Sequence, residues 1–191
     1  PFTYPPFAAA LFALVSWMPL WPLSLLLTAA SLGALWVCLY AVISRCCEVD
    51  RPDWWATWAL LACALTEPIT ENFSFGQVNL LLTAAVVVDC LLLRPRSSWR
   101  GVLTGVAMAI KLTPAVFLAV FFVRRDWRAL ATAIGAFIAC GVVGYLASPA
   151  SSAAYWTDIL RDSSRIGTLS YSSNQSLRGL LSRVSPEEAS G

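Results

Sequence analysis

Lys111 is the sole lysine in the chain, and it stands between two apolar runs in Lys111-Leu112-Thr113-Pro114. An ammonium in such surroundings needs an anion or carbonyl partner. As a compact point charge it suits a phosphate; the plainer alternative is a lysine that snorkels its head to water. Other polar groups interrupt equally apolar sequence at Tyr4-Pro5-Pro6, Glu67-Pro68, Glu71-Asn72, Gly76-Gln77-Val78-Asn79 and Asn174-Gln175-Ser176. Glu67 and Glu71, four apart, have the chemistry to bind sugar hydroxyls, act as a base or hold a divalent cation; a solvated loop is the bland reading. Gln77 and Asn79 read as the opening of a helix, where backbone amides suit an anion or a sugar hydroxyl. Asp89, inside Val86-Val87-Val88-Asp89-Cys90, is expected to make a structural hydrogen bond or to snorkel.

These groups are informative because the rest of the chain is so apolar. Of 191 residues, 58% are hydrophobic and 13% charged, and the mean hydropathy is +0.68. A soluble domain would need more charge to cover its surface. The nine tryptophans fit interfacial anchors of a multi-pass membrane protein. A net charge of +2 without a basic run argues against a nucleic-acid partner. With no histidine and no CxxC pair, no metal site is expected. The first residue is Pro1, and the last ones follow what reads as the start of a helix. The expectation is one integral-membrane region over residues 1–191, an internal piece of a longer protein with no soluble domain.

The apolar runs set the elements that must position the polar groups. About 20 apolar residues cross a bilayer core. Trp21 to Ser44, Gln77 to Leu93 and Arg128 to Ala147 are predicted spans. Phe7 to Met18 is too short and reads as interfacial or half-inserted; Trp54 to Thr66 is also short. Gly101 to Val123 is long enough to span, but Lys111 and Pro114 interrupt it, and proline removes a backbone donor. Two short helices in a hairpin, with the Lys111 turn at the tip, fit better than one span. Gly101 and Gly105 would allow close packing at its base. Tyr155 to Ile166 reads as an amphipathic surface helix. Arginines at 45–51, 94–100 and 124–128 place a cytoplasmic side by the positive-inside rule. Tyr4, Glu67 to Asn79, the Lys111 turn and Tyr155 to Ser176 then gather on the extracytoplasmic side. An enzyme acting on lipid-linked substrates, a transporter with broken helices and a non-catalytic subunit all remain open at this level.

Five motifs occur in order: Pro1 to Ala9 around Tyr4-Pro5-Pro6; Thr66-Glu67-Pro68 with Phe75-Gly76-Gln77-Val78-Asn79; Lys111-Leu112-Thr113-Pro114; Tyr155 with Asp158-Ile159-Leu160; and Asn174-Gln175-Ser176-Leu177-Arg178-Gly179. Together they resemble glycosyltransferase family 87, the actinobacterial mannosyltransferases of the GT-C superfamily that use polyprenyl-phosphate-mannose. The resemblance covers the whole chain. It implies an all-α, GT-C-like transmembrane helical bundle in the plasma membrane, active on the extracytoplasmic face. It also implies inverting transfer of mannose from polyprenyl-phosphate-mannose to a glycolipid such as a phosphatidylinositol mannoside or lipomannan, without a cofactor. The acidic base of that family lies upstream of the Tyr-Pro-Pro motif, so no catalytic base is assigned here. Lys111 is the first candidate to stabilise the leaving phosphate, followed by Arg165 and Arg178. Tyr4, Glu67, Glu71, Gln77, Asn79, Asn174 and Gln175 would bind substrate. The alternative is a transporter or flippase for a lipid-linked sugar.

Overall fold

The structure, a computed structural model, describes residues 4–160. Over these residues the chain is an all-α membrane bundle without strands. Its helices are α1 (Pro6–Ala13), α2 (Leu20–Cys46), α3 (Pro52–Ala64), α4 (Glu67–Ser74), α5 (Asn79–Val87), α6 (Val102–Ile110), α7 (Leu118–Val123), α8 (Trp127–Ala147) and α9 (Pro149–Ala154). A π-helical stretch, Val88–Leu92, extends α5; a 3-10 stretch, Thr113–Phe117, precedes α7; and a second π-helical turn, Tyr155–Ile159, follows α9.

Leu20–Cys46 and Trp127–Ala147 are each long and apolar enough to cross a membrane. The α4 and extended α5 helices pass that test only as a pair, bent by 119°, as a broken span or re-entrant loop would be. Much of the surface is apolar, including the exposed Trp17, Trp21, Trp54, Trp55, Trp58 and Trp127. Water would penalise that surface, whereas lipid and its interface accept it.

Gly101 to Val123 forms the hairpin. The α6 helix ends at Ile110, Lys111 is extended (φ −148°, ψ 133°), and the chain turns through the 3-10 stretch into α7. Its two ends meet: Arg100 Nε, just before α6, donates to Asp126 Oδ2 just after α7, at 2.9 Å. A single straight span would hold these residues more than 30 Å apart at about 1.5 Å per residue. Asp126 also caps α8, its Oδ1 accepting from Ala129 N at 3.1 Å. The guanidinium of Arg100 also donates to the Leu93 and Cys90 carbonyls and lies 5.6 Å from the centroid of the buried Phe121 ring. A buried charge is tolerable only with that degree of pairing.

Asp89 completes this base. Fully buried, its carboxylate accepts from Gly101 N (2.6 Å), Thr104 N (2.8 Å) and Thr104 Oγ1 (2.8 Å). Of the two readings of Asp89, the structural hydrogen bond is therefore the one observed. It ties the π-helical end of α5 to the first turn of α6. The close packing foreseen for the two glycines also occurs, against α8. A Cβ on Gly101 would come 2.1 Å from the Ala129 carbonyl oxygen, and one on Gly105 2.2 Å from that of Ala133. Gly101 further has φ +98°, which side-chain-bearing residues rarely adopt. In lipid, small residues let helix backbones approach and gain dispersion contacts. Leu82, Val86, Ala107 and Phe121 fill the adjoining core.

Three local expectations need correction. Glu67 to Ser74 is a helix rather than an open connection; Thr66 ends the preceding turn in an extended conformation, and Pro68 is accommodated in the first turn of α4. Gln77 lies in the turn before α5, so only Asn79 of the two amides is helical. The helix foreseen from Tyr155 begins at Pro149, because Ser148-Pro149 supplies the start; the residues beyond 160 lie outside the described part.

Candidate functional site

The α5 and α6 helices run antiparallel and are tied at both ends. Asp89 and Arg100 hold the base, and at the other end Lys111 Nζ donates to Asn79 Oδ1 at 2.8 Å. Nine residues of α6 separate the two ends by roughly 13 Å. Asn79 is the first residue of α5 and Lys111 the first beyond α6, so the break before Pro114 is what frees the lysine to reach across.

Tyr4 joins from the segment before α1. Its ring lies 5.6 Å below the Lys111 ammonium, a cation–π arrangement, and its hydroxyl donates to Gln77 Oε1 at 3.0 Å. Half-burial pushes the Tyr4 phenol above its usual range, which keeps it a donor. The backbone carbonyl of Gln77 accepts from Asn72 Nδ2 at 3.1 Å, and this fixes the turn between α4 and α5. Three connections far apart in sequence thus converge, carrying Tyr4, Gln77, Asn79 and Lys111.

The electrostatics of this cluster are one-sided. Lys111 is held by an amide oxygen and an aromatic ring, both neutral. Among the described residues no carboxylate pairs with it; the ion pairs there are Arg51–Asp53 and Arg100–Asp126. Among the described residues its positive charge is therefore uncompensated, an arrangement suited to an anion such as a phosphate ester.

Glu67 and Glu71 are exposed on α4, and no hydrogen bond links either to the cluster. Arg165, Arg178, Asn174 and Gln175 lie outside the described residues. Sequence reasoning passed over Asn72, which is buried and organises the Gln77 turn, and Ser31 on α2, which is buried nearby. Asn72 stood in a motif already singled out; Ser31, one hydroxyl in a long apolar helix, carried no signal of its own.

The family model for glycosyltransferase family 87 matches residues 2–189. The chain belongs to glycosyltransferase family 87. Among curated relatives, it is 38% identical over 96% of its length to a Mycolicibacterium smegmatis protein named polyprenol-phosphate-mannose-dependent alpha-(1-2)-phosphatidylinositol mannoside mannosyltransferase, of which 44% is covered. The Mycobacterium tuberculosis protein of the same name is 35% identical over 96% of this chain and 46% of its own. A Mycolicibacterium smegmatis polyprenol-phosphate-mannose-dependent alpha-(1-2)-phosphatidylinositol pentamannoside mannosyltransferase is 36% identical over 99% of this chain and 45% of its own. The family 87 chain thus spans just under half the length of the curated relatives it matches. No solved structure matches it.

Proposed function

We propose that this family 87 chain is part of a membrane mannosyltransferase that moves mannose from polyprenyl-phosphate-mannose to a lipid-anchored glycan on the extracytoplasmic face, with inversion. The observation that carries the proposal is the Lys111 ammonium, without a carboxylate partner among the described residues and held at the tip of the hairpin by Asn79 and Tyr4. In such a transfer an acceptor hydroxyl attacks the anomeric carbon, the bond from that carbon to the phosphate oxygen breaks, and the polyprenyl phosphate leaves with the electron pair. The acceptor proton passes to a general base. A cation fixed beside the departing oxygen stabilises charge where it develops.

The neighbouring groups have roles that follow from their chemistry. Asn79 orients the ammonium, Tyr4 supports it from below, and Gln77 positions Tyr4. The exposed carboxylates of Glu67 and Glu71, on the helix that precedes the Gln77 turn, are suited to accept from sugar hydroxyls. The names of the related mycobacterial proteins support this donor and a phosphatidylinositol mannoside acceptor. A flippase for a lipid-linked sugar would use the same cation to bind phosphate but would break no bond.

The test is transfer of radiolabelled mannose from polyprenyl-phosphate-mannose in membranes holding matched amounts of the intact protein. Lys111→Met keeps most of the side-chain length and removes the charge. It is expected to cost about 3 kcal/mol of transition-state stabilisation, roughly a hundredfold in rate. Lys111→Arg is expected to retain part of the rate, since a planar fork does not reproduce a compact ammonium. Wild-type transfer by Lys111→Met at limiting and saturating donor would place the phosphate elsewhere.

A further inference from the structure

The base of the hairpin carries five exposed arginines. Arg94 and Arg96 follow the π-helical end of α5, Arg124 and Arg125 join α7 to α8, and Arg128 lies in the first turn of α8. The Arg100 side chain draws these segments together. It donates to the Leu93 carbonyl at 2.6 Å and to Asp126 at 2.9 Å, so the residues next to Arg94 and Arg125 share one guanidinium. No ion pair holds any of the five among the described residues. The carboxylates nearest in sequence, Asp89 and Asp126, are engaged by Gly101, Thr104, Arg100 and Ala129. Glu48 and Asp50, on the connection from α2 to α3, form no ion pair with them either.

The turn between α7 and α8 has the hydrogen bonds of a Schellman motif. Asp126 N–H donates to the Phe121 carbonyl at 2.9 Å, and Arg125 N–H to that of Phe122 at 3.0 Å. The left-handed position of the motif (φ +54°) is occupied by Arg125, the one non-glycine residue with positive φ among the described residues. Glycine is usual there, because a Cβ in that conformation is costly. A side chain kept at such a position points to a use for it. The positive-inside rule accounts for an excess of arginine at this end, but not for an arginine at a glycine position.

The surroundings place the guanidinium groups at the level of lipid headgroups. The α7 helix ends at Val123, directly before Arg124, and α8, long and apolar enough to cross a membrane, starts at Trp127. Trp99, Phe122, Val123 and Trp127 are exposed on the same two segments. Tryptophan at such a boundary sits at the membrane interface, and the apolar neighbours suit acyl chains. Guanidinium groups bind phosphate oxygens in pairs, and an unneutralised cluster repels the ammonium of a zwitterionic lipid. We propose that the base of the hairpin binds the phosphate headgroup of an anionic phospholipid, through Arg94, Arg124 and Arg125. This surface lies at the other end of α6 from Lys111, and the assignment does not depend on the mannosyl-transfer reading.

The test is native mass spectrometry of the intact protein in detergent, titrated with phosphatidylglycerol and, separately, with phosphatidylcholine of the same acyl chains. The readout is the ratio of the two dissociation constants for the first lipid bound. Wild type is expected to favour phosphatidylglycerol. Arg125→Gly removes the charge and relieves the left-handed residue, so it should fold at least as stably as wild type. Its preference should nevertheless fall roughly fivefold, the effect of one arginine at an anionic surface. Arg125→Lys should keep most of the preference, and Arg94→Gln combined with Arg124→Gln should lower it roughly twenty-five-fold. Arg51→Gln, which removes an arginine paired with Asp53 on another connection, should leave the ratio unchanged. A wild-type ratio in both Arg125→Gly and the double variant would overturn the proposal. So would an equal loss in Arg51→Gln, since net charge alone would then explain the binding. Glycerol 3-phosphate competing as well as the whole lipid would also overturn it, because the site would then take a soluble phosphate.

Discussion

Asp89→Asn separates what builds the hairpin from what works at its tip. The Asp89 carboxylate accepts three hydrogen bonds, from Gly101 N, Thr104 N and Thr104 Oγ1, all at 2.8 Å or less and all buried. An asparagine keeps one accepting oxygen and turns an NH2 toward the donors the other oxygen served. In its better orientation the oxygen stays with the two Thr104 donors, and Gly101 N–H faces another donor. A hydrogen bond to a carboxylate is worth about 1.5–3 kcal/mol, and a stranded buried N–H adds to the loss. The expected destabilisation is about 3 kcal/mol, a large share of the roughly 5–15 kcal/mol that folded proteins hold. Thr104→Val removes only the hydroxyl and is expected to cost about 1 kcal/mol. The assay is unfolding by SDS in mixed micelles followed by tryptophan fluorescence, with mannose transfer measured on the folded fraction. Because Lys111 sits at the far end of α6, transfer per folded Asp89→Asn molecule should fall much less than in Lys111→Met. An Asp89→Asn protein as stable as wild type, or more stable than Thr104→Val, would refute this account of the base.

Tyr4→Phe keeps the ring 5.6 Å from Lys111 and removes the bond to Gln77, so transfer should fall roughly fivefold, from about 1 kcal/mol. Tyr4→Leu, which also removes the ring face, should fall further; equal rates in the two variants would remove the cation–π contact from the argument. For sidedness, cysteines placed at the exposed positions 71 and 96 in a cysteine-free background should differ toward an impermeant thiol reagent. Position 71 should label from outside and position 96 should not; the reverse pattern would put the Lys111 cluster on the cytoplasmic face.

The sequence alone determined the elements that depend on local composition. Runs of apolar residues mark α2 and α8 because crossing lipid requires about 20 of them, and Lys111 with Pro114 marks a break because proline withholds a backbone donor. The motif residues were legible as polar groups that lipid would penalise. What the sequence did not determine is which of them meet. Tyr4, Gln77, Asn79 and Lys111 come from three separate connections, and their contact depends on the antiparallel pairing of α5 with α6, which Asp89 and Arg100 pin at the other end. Glu67 and Glu71 stand in the same motif as Gln77 but stay exposed, because the helical turn of α4 buries Asn72 instead. Ser31 shows the limit most plainly. One hydroxyl in a long apolar helix has no local signal, and only the packing of α2 against the Asn72–Gln77 turn decides that it is buried. Span and break follow from the chemistry of neighbouring residues in the chain, whereas a site follows from long-range packing that no short stretch encodes.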